Sequence, residues 1–150
     1  MQLRKAVIGD VPQIQNLINF YAEQGLMLAR SLSSLYGGIR EFIVAEKNAR
    51  IIGVGALHIV WGDLAEIRSL AIAQDYVKNG LGSRIVQALV EEARQLGVPQ
   101  VFTLTYQPGF FEKCGFHVID KEELPNKVWK DCLDCVKFPN CDEIALLKKL

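Results

Sequence analysis

The chain carries no excess of charge of either sign. Lys plus Arg number 17 and Asp plus Glu number 17 among its 150 residues, so the formal net charge is zero. A nucleic-acid binder needs a basic surplus to neutralise phosphates, and that class is set aside. Long apolar runs are also missing. The most apolar stretch, residues 51–61, is interrupted by Gly53, Gly55 and His58 and is too short to span a bilayer. Cysteine is scarce as well: there are four, three of them bunched between Cys132 and Cys141. That distribution is unlike a disulfide framework spread over a small secreted domain. Met1 opens directly onto Gln2-Leu3-Arg4-Lys5, with no apolar segment behind a basic start, so a cytoplasmic location is expected. What the chain does have is ordinary globular composition, 50% apolar and 23% charged, at a length that suits one well-cored domain.

Residues 3–8 read as an opening strand. Asp10-Val11-Pro12-Gln13 has helix-start chemistry, with Asp10 as the cap, Pro12 where its missing donor costs little, and Gln13 at capping-box spacing. Val11, Ile14, Leu17, Ile18 and Tyr21 follow at helical spacing. A second helix is expected from Ser31 to the Gly37-Gly38 pair. Residues 41–45, 51–61 and 64–72 then read as three strands joined by short turns, which makes an antiparallel meander. Residues 80–96 form the clearest helix, with a buried stripe of Leu81, Ile85, Leu89, Ala93 and Leu96, ended by Gly97 and Pro99. Residues 101–105 read as a strand, 108–113 as a short helix, 116–119 as another strand, and 143–147 as a strand closing the sheet. The chain is therefore a single mixed α/β (α+β) domain over residues 1–150, with a cysteine-containing C-terminal segment near residues 124–142.

The chemistry concentrates between Ala65 and Arg84: a strand, a polar loop, then glycines opening a helix. Lys78-Asn79-Gly80-Leu81-Gly82-Ser83 offers backbone N–H groups beside a helix N-terminus, where donors and dipole both favour a phosphate or pyrophosphate. Lys78 adds a charge. The common nucleotide fingerprints do not fit, because Gly82 is followed by Ser83-Arg84-Ile85 without the third glycine of a dinucleotide loop, and no Gly-Lys-Ser/Thr ending exists for a P-loop.

Three segments in order resemble the GNAT superfamily of N-acetyltransferases. They are Glu66-Ile67-Arg68-Ser69-Leu70-Ala71-Ile72, then Asn79-Gly80-Leu81-Gly82, then Phe110-Phe111-Glu112-Lys113-Cys114-Gly115-Phe116. Within that superfamily the chain is most similar to short, stand-alone N-acetylglutamate synthases. That likeness rests on Leu28-Ala29-Arg30-Ser31, on Leu104-Thr105-Tyr106, and on the tail from Glu123-Leu124-Pro125 through Trp129 and Cys132 to Lys137-Phe138-Pro139-Asn140-Cys141-Asp142-Glu143. The resemblance implies a mostly antiparallel sheet flanked by helices. It also implies acetyl transfer from acetyl-CoA to the α-amine of L-glutamate, as in arginine synthesis, by direct attack. The alternatives are acetylation of another amino acid or small amine, or a non-catalytic acetyl-CoA-binding module. Two positions depart from the superfamily pattern. Val77 stands where Gln or Arg is usual three residues before the first loop glycine, and Phe111 stands where a Tyr general acid is frequent.

Acetyl transfer to an amine needs a base for the ammonium, a donor for the developing oxyanion, and an acid or stabilising group for the leaving thiolate. Glu66 is the expected base, and strict alternation would put Glu66, Arg68, Leu70 and Ile72 on one strand face unless a bulge intervenes. The resemblance implies that the Leu70 N–H serves the oxyanion and that backbone groups of Leu70, Ala71 and Ile72 line the pantetheine arm. It implies that Val77, Lys78, Asn79, Gly80, Leu81, Gly82 and Ser83 take the pyrophosphate, with Phe111 in the cofactor set. Tyr106 is the substitute acid. Arg30 and Arg68 are the candidates for the carboxylates of the acceptor, with Arg40 a third, since guanidinium matches carboxylate geometry bidentately. Cys132, Cys135 and Cys141 have a spacing able to hold zinc, with Asp142, His117 or Cys114 completing the set. One Cys-x-x-Cys with a single further Cys is incomplete, however, so no metal is assigned. Cys114 with His117 or His58 as a thiol nucleophile lacks an orienting third group and is rejected. The expected partners are a small-molecule amine and, by analogy with the superfamily, a second copy of the chain in a homodimer; no nucleic acid and no membrane are expected.

Overall fold

A computed structural model describes residues 1–125 and 142–150. Its seven-stranded sheet grows from two tight turns. Asn48 and Ala49 both take positive φ, 52° and 63°, which matches the twist of the strands they join, β2 (Phe42–Lys47) and β3 (Arg50–Trp61). Gly62 and Asp63 turn β3 into β4 (Leu64–Ile72) with Trp61 opposite Leu64. β1 (Gln2–Lys5) adds antiparallel to β2. β5 (Gln100–Thr105) lies parallel to β4, and β7 (Ile144–Lys149) enters between β5 and β6 (His117–Ile119), giving the order β1-β2-β3-β4-β5-β7-β6. The last strand therefore fills an interior slot, and β6 forms the edge.

Helices cover both faces. α1 (Val11–Ala22) and α2 (Leu32–Gly37) pack on one face, where Val11, Ile14, Ile18 and Leu35 meet Phe42, Val44, Val54 and Ala71. α3 (Leu81–Gln95) and α4 (Pro108–Lys113) cover the other. There Leu81, Ile85, Val86, Leu89, Val90 and Ala93 bury against the sheet, each large side chain worth about 1.5–3 kcal/mol. Leu96 is 62% exposed instead of closing that stripe. The cause is the helix end. Gly97 takes φ 84°, its N–H donates to Arg94 O, and that of Val98 donates to Ala93 O, so Val98 turns into the core in place of Leu96.

Asp10 does not cap α1 through its side chain. Its carboxylate accepts from Arg4 at 2.7 and 2.9 Å and from the Val7 N–H at 2.8 Å, tying β1 to the turn before the helix. Gln13, likewise, accepts from the Ile51 N–H at 2.9 Å and joins α1 to β3.

Candidate active site

β4 is irregular in two ways, and both shape the site. First, between the pairs Val54↔Ala71 and Ala56↔Arg68 it carries one more residue than β3, a bulge at which Ser69 adopts φ 57°. Ala65 and Ile67 face α3 before the bulge, and Leu70 and Ile72 face α3 after it. Glu66 and Arg68 consequently face α1 and α2, opposite to Leu70 and Ile72. Strict alternation, which grouped all four on one face, is overturned by that single residue. Second, β4 pairs with β5 only at Ala65↔Val101 and Glu66↔Phe102. Beyond these pairs the ladder stops, the buried Thr103 hydroxyl donates to Ile67 O at 3.0 Å, and the β5-facing edge of β4 is left without a strand partner.

On the α1/α2 side the polar residues gather. Arg68 donates through Nη2 and Nε to Glu66 Oε1 at 2.9 and 3.2 Å, and both side chains are mostly buried, 15% exposed for Glu66 and 25% for Arg68. Arg30, just before α2, donates to Ser34 Oγ at 2.9 Å and to Ser69 Oγ at 3.1 Å, and lies 5.5 Å over the Phe42 ring. Burial and the neighbouring Arg68 charge lower the pKa of Arg30, while Glu41 acts against them. Among the described residues no carboxylate comes within ion-pair distance of Arg30. Glu41 meets His58 Nδ1 through Oε2 at 2.6 Å. Burial pushes the Glu41 carboxyl up, but the His58 hydrogen bond and the charges of His58, Arg68 and Arg30 outweigh it and hold it below its ordinary value. His58 is the direct cross-strand partner of Glu66. Arg30, Glu41, His58, Glu66, Arg68 and Ser69 thus form one charged cluster at the bulge. Sequence reasoning found Arg30, Glu66 and Arg68 and passed over Glu41, the pairing of His58 with it, and Ser69.

The opposite face of β4 leads to the start of α3. Gly80 caps that helix with φ 75°, and the first backward bond of the helix runs from the Arg84 N–H to Gly80 O. The amides of Leu81, Gly82 and Ser83 therefore stand at the open, positive end of a 15-residue helix. Leu81 and Gly82 are buried, so they offer backbone only, whereas Val77, Lys78 and Asn79 are exposed. With Gln74 and Asp75 these three line a depression of about 440 Å³ beside the loop. A Cβ on Gly82 would stand 3.1 Å from the Phe110 ring, so glycine lets that ring lie on the helix start. Phe111 is a core side chain, 3% exposed and edge-on to Phe110 and Phe116. Phe110 is the aromatic beside the loop, and sequence reasoning singled out its neighbour.

The Tyr106 hydroxyl donates to Asp142 Oδ1 at 2.6 Å. Cys132, Cys135 and Cys141, the residues with zinc-ligand spacing, lie outside the described residues. No helix among the described residues is long and apolar enough to cross a membrane.

A charged cluster behind a bulge and a strand edge released from its ladder thus lie along one strand, with an open helix start after it. Residues 13–116 match the Acetyltransferase (GNAT) family, and the chain belongs to that family. It is 38% identical over 148 residues to an uncharacterized N-acetyltransferase of Chlorobaculum tepidum, covering 99% of this chain and 96% of that one. It is 36% identical over 132 residues to an amino-acid acetyltransferase of Mycobacterium tuberculosis, covering 86% of this chain and 75% of the relative. In structure it resembles N-acetylglutamate synthase from Neisseria gonorrhoeae complexed with coenzyme A and N-acetyl-glutamate. The TM-score is 0.90 at 30% identity, over 99% of this chain and 35% of that one. The protein is an N-acetyltransferase related to the amino-acid acetyltransferases.

Proposed function

We propose that the enzyme moves the acetyl group of acetyl-CoA to the α-amine of L-glutamate, a reaction that serves arginine biosynthesis. The observation that carries the choice of acceptor is Arg30. Its side chain is half-buried, among the described residues bonds only neutral hydroxyls, and sits beside a second arginine. A dicarboxylate amino acid compensates such a charge better than a neutral amine does. The relatives named amino-acid acetyltransferase, and the synthase structure holding N-acetyl-glutamate, support the same reading.

In this reading the pyrophosphate of acetyl-CoA meets the amides of Gly80, Leu81, Gly82 and Ser83, with Lys78 adding charge, and its pantetheine arm runs along the released edge of β4 at Leu70, Ala71 and Ile72. Backbone donors dominate such a site, so Val77 in place of a longer polar residue is no obstacle. Glu66 takes a proton from the acceptor ammonium, directly or through water, and the amine attacks the acetyl carbonyl. The Leu70 N–H stabilises the oxyanion. Arg30 and Arg68 orient the acceptor carboxylates. Tyr106 supplies a proton to the thiolate by exchanging its Asp142 partner for sulfur. The test is CoA release from acetyl-CoA across a panel of amino acids and amines. Selective turnover with L-glutamate is the expected result; preference for an uncharged amine refutes the assignment of Arg30 and Arg68.

A further inference from the structure

The carboxylate assigned as base is not the best proton store in its own cluster. Glu66 already accepts two hydrogen bonds from Arg68. His58 stands directly opposite it on β3. Paired residues on neighbouring strands have Cβ atoms about 4.5–5.5 Å apart on one face of the sheet, so the imidazole and the carboxylate project from the same side. An imidazole is ordinarily about two pK units more basic than a glutamate carboxylate, roughly a 100-fold better equilibrium for holding the proton.

The orientation of His58 suits that task. Glu41 is held in its ionised form, so the 2.6 Å contact is His58 Nδ1–H donating to Glu41 Oε2. That bond fixes the tautomer and leaves Nε2 as the proton-accepting nitrogen. It also sets a negative charge against the imidazolium that forms. The charged groups around His58 are Glu41 from the turn before β2, Glu66 and Arg68 from β4, and Arg30 from the segment before α2.

We propose that His58 is the terminal proton acceptor of the reaction, taking from Glu66 the proton removed from the acceptor ammonium, with Glu41 as its positioning residue. The ammonium N–H bond breaks and its proton passes through Glu66 to His58 Nε2. The freed nitrogen lone pair forms the bond to the acetyl carbon, and the C–S bond breaks with its electron pair on sulfur. Tyr106 gives its proton to the thiolate and regains one from the second nitrogen N–H, and His58 returns its own to solvent. Like Glu41, His58 acts through another residue. The proposal rests on acetyl transfer by this chain and on Glu66 as first acceptor, and not on L-glutamate as substrate.

The experiment compares kcat against pH for wild type, His58→Asn and Glu41→Gln, using whichever amine of the panel turns over fastest. A different best amine overturns the L-glutamate reading and leaves this comparison intact. His58→Asn keeps a donor toward Glu41 and removes the base. It is expected to lower kcat near neutral pH by about 100-fold and to move the acidic limb of the profile downward, because the carboxylate left behind is the weaker base, while KM for acetyl-CoA stays within about twofold. Glu41→Gln is expected to move the same limb with a loss of roughly tenfold. Nitrogen-15 spectra of the resting protein, simplified by its having only two histidines, are expected to show the Nδ1–H tautomer at His58. An unchanged limb with kcat retained within about threefold in His58→Asn, or an Nε2–H tautomer at His58, overturns the proposal.

Discussion

Gly55→Ala tests how the sheet positions α3, and through it the open helix start. Gly55 lies on β3 under α3, and a Cβ there would stand 2.8 Å from Ile85 Cγ2, 3.1 Å from Leu89 Cδ1 and 3.3 Å from Leu70 Cδ1. The first of these contacts decides the outcome. Cγ2 is bonded directly to Ile85 Cβ, so it moves only by χ1 rotation, and a β-branched residue in a helix has one strongly preferred χ1. The other two atoms end flexible leucines and can swing aside. Relief must therefore come from lifting α3, and overpacking of this kind costs about 1–3 kcal/mol. The unfolded chain loses freedom on gaining a side chain, which returns about 0.4–1 kcal/mol. The net expectation is a loss of about 1–2 kcal/mol, or about 2–8 °C in Tm for a chain of this length.

Urea unfolding checks it, with the midpoint lowered and the slope unchanged. Ile85→Leu removes the offending branch, so Gly55→Ala should cost at least about 0.5 kcal/mol less in that background, a coupling that a double-mutant cycle reads directly. A Gly55→Ala protein as stable as wild type, or an identical cost in both backgrounds, would refute the reasoning. Acetyl-CoA affinity provides the functional side of the test, because the amides of Leu81, Gly82 and Ser83, to which the proposed function assigns the pyrophosphate, travel with the helix.

Glu66→Gln is expected to lower kcat by about 100-fold or more while acetyl-CoA binding, measured by calorimetry, is retained. Arg30→Ala should raise KM for the acceptor about 10- to 100-fold, the worth of a charge-assisted hydrogen bond, without raising that for acetyl-CoA. Arg30→Lys should not restore it, since an ammonium lacks the planar fork. Gly80→Ala forces a side chain into the left-handed region and should cost about 1–2 kcal/mol in thermal unfolding, together with weaker acetyl-CoA binding. Asp10 is held below its ordinary carboxylate range chiefly by the Arg4 hydrogen bonds, against the opposing effect of burial and with help from the Val7 N–H. Its contribution is therefore full above the ordinary carboxylate range and is lost as pH falls through the lowered folded-state value. Asp10→Asn should be less stable than wild type at neutral pH, and the difference should shrink in acid.

Much of the fold was legible because local signals agreed. The two-residue turns, the period of α3 and the Gly97 stop each act within a few residues, and the structure repeats them. What escaped depends on register. Continuing the turn pairing of Trp61 with Leu64 would put Ile67 opposite His58. An extra residue at Val60 shifts the ladder so that Glu66 stands there instead. A one-residue shift changes which side chains share a face, and nothing in composition or periodicity announces it. The same limit explains why Glu66, Arg68, Leu70 and Ile72 were grouped together, and why Glu41 was passed over: its partner lies 17 positions away across a hairpin. The insertion of β7 beside β5 is a long-range pairing of the same kind.

The bulge at Ser69 solves a problem that a regular strand cannot. An acetyl transfer needs one segment to present side chains to the acceptor and, within a few residues, to present its backbone to a second, extended molecule. A regular strand at this position would send Glu66, Arg68, Leu70 and Ile72 to one side, mixing the charged groups with the apolar residues that must pack under α3. One extra residue turns Glu66 and Arg68 toward α1 and α2 and returns Leu70 and Ile72 to the core beneath α3. Leaving the ladder with β5 just before this point frees the strand edge that the proposed function gives to the pantetheine arm. The left-handed conformation at Ser69 costs energy for a residue with a side chain, and glycine would take it more cheaply. Serine has a compensating use, because its hydroxyl accepts from Arg30, so the bulge and the guanidinium hold each other in place. The geometry of β4 and the charge on the proposed acceptor side are thus joined at the Ser69 hydroxyl.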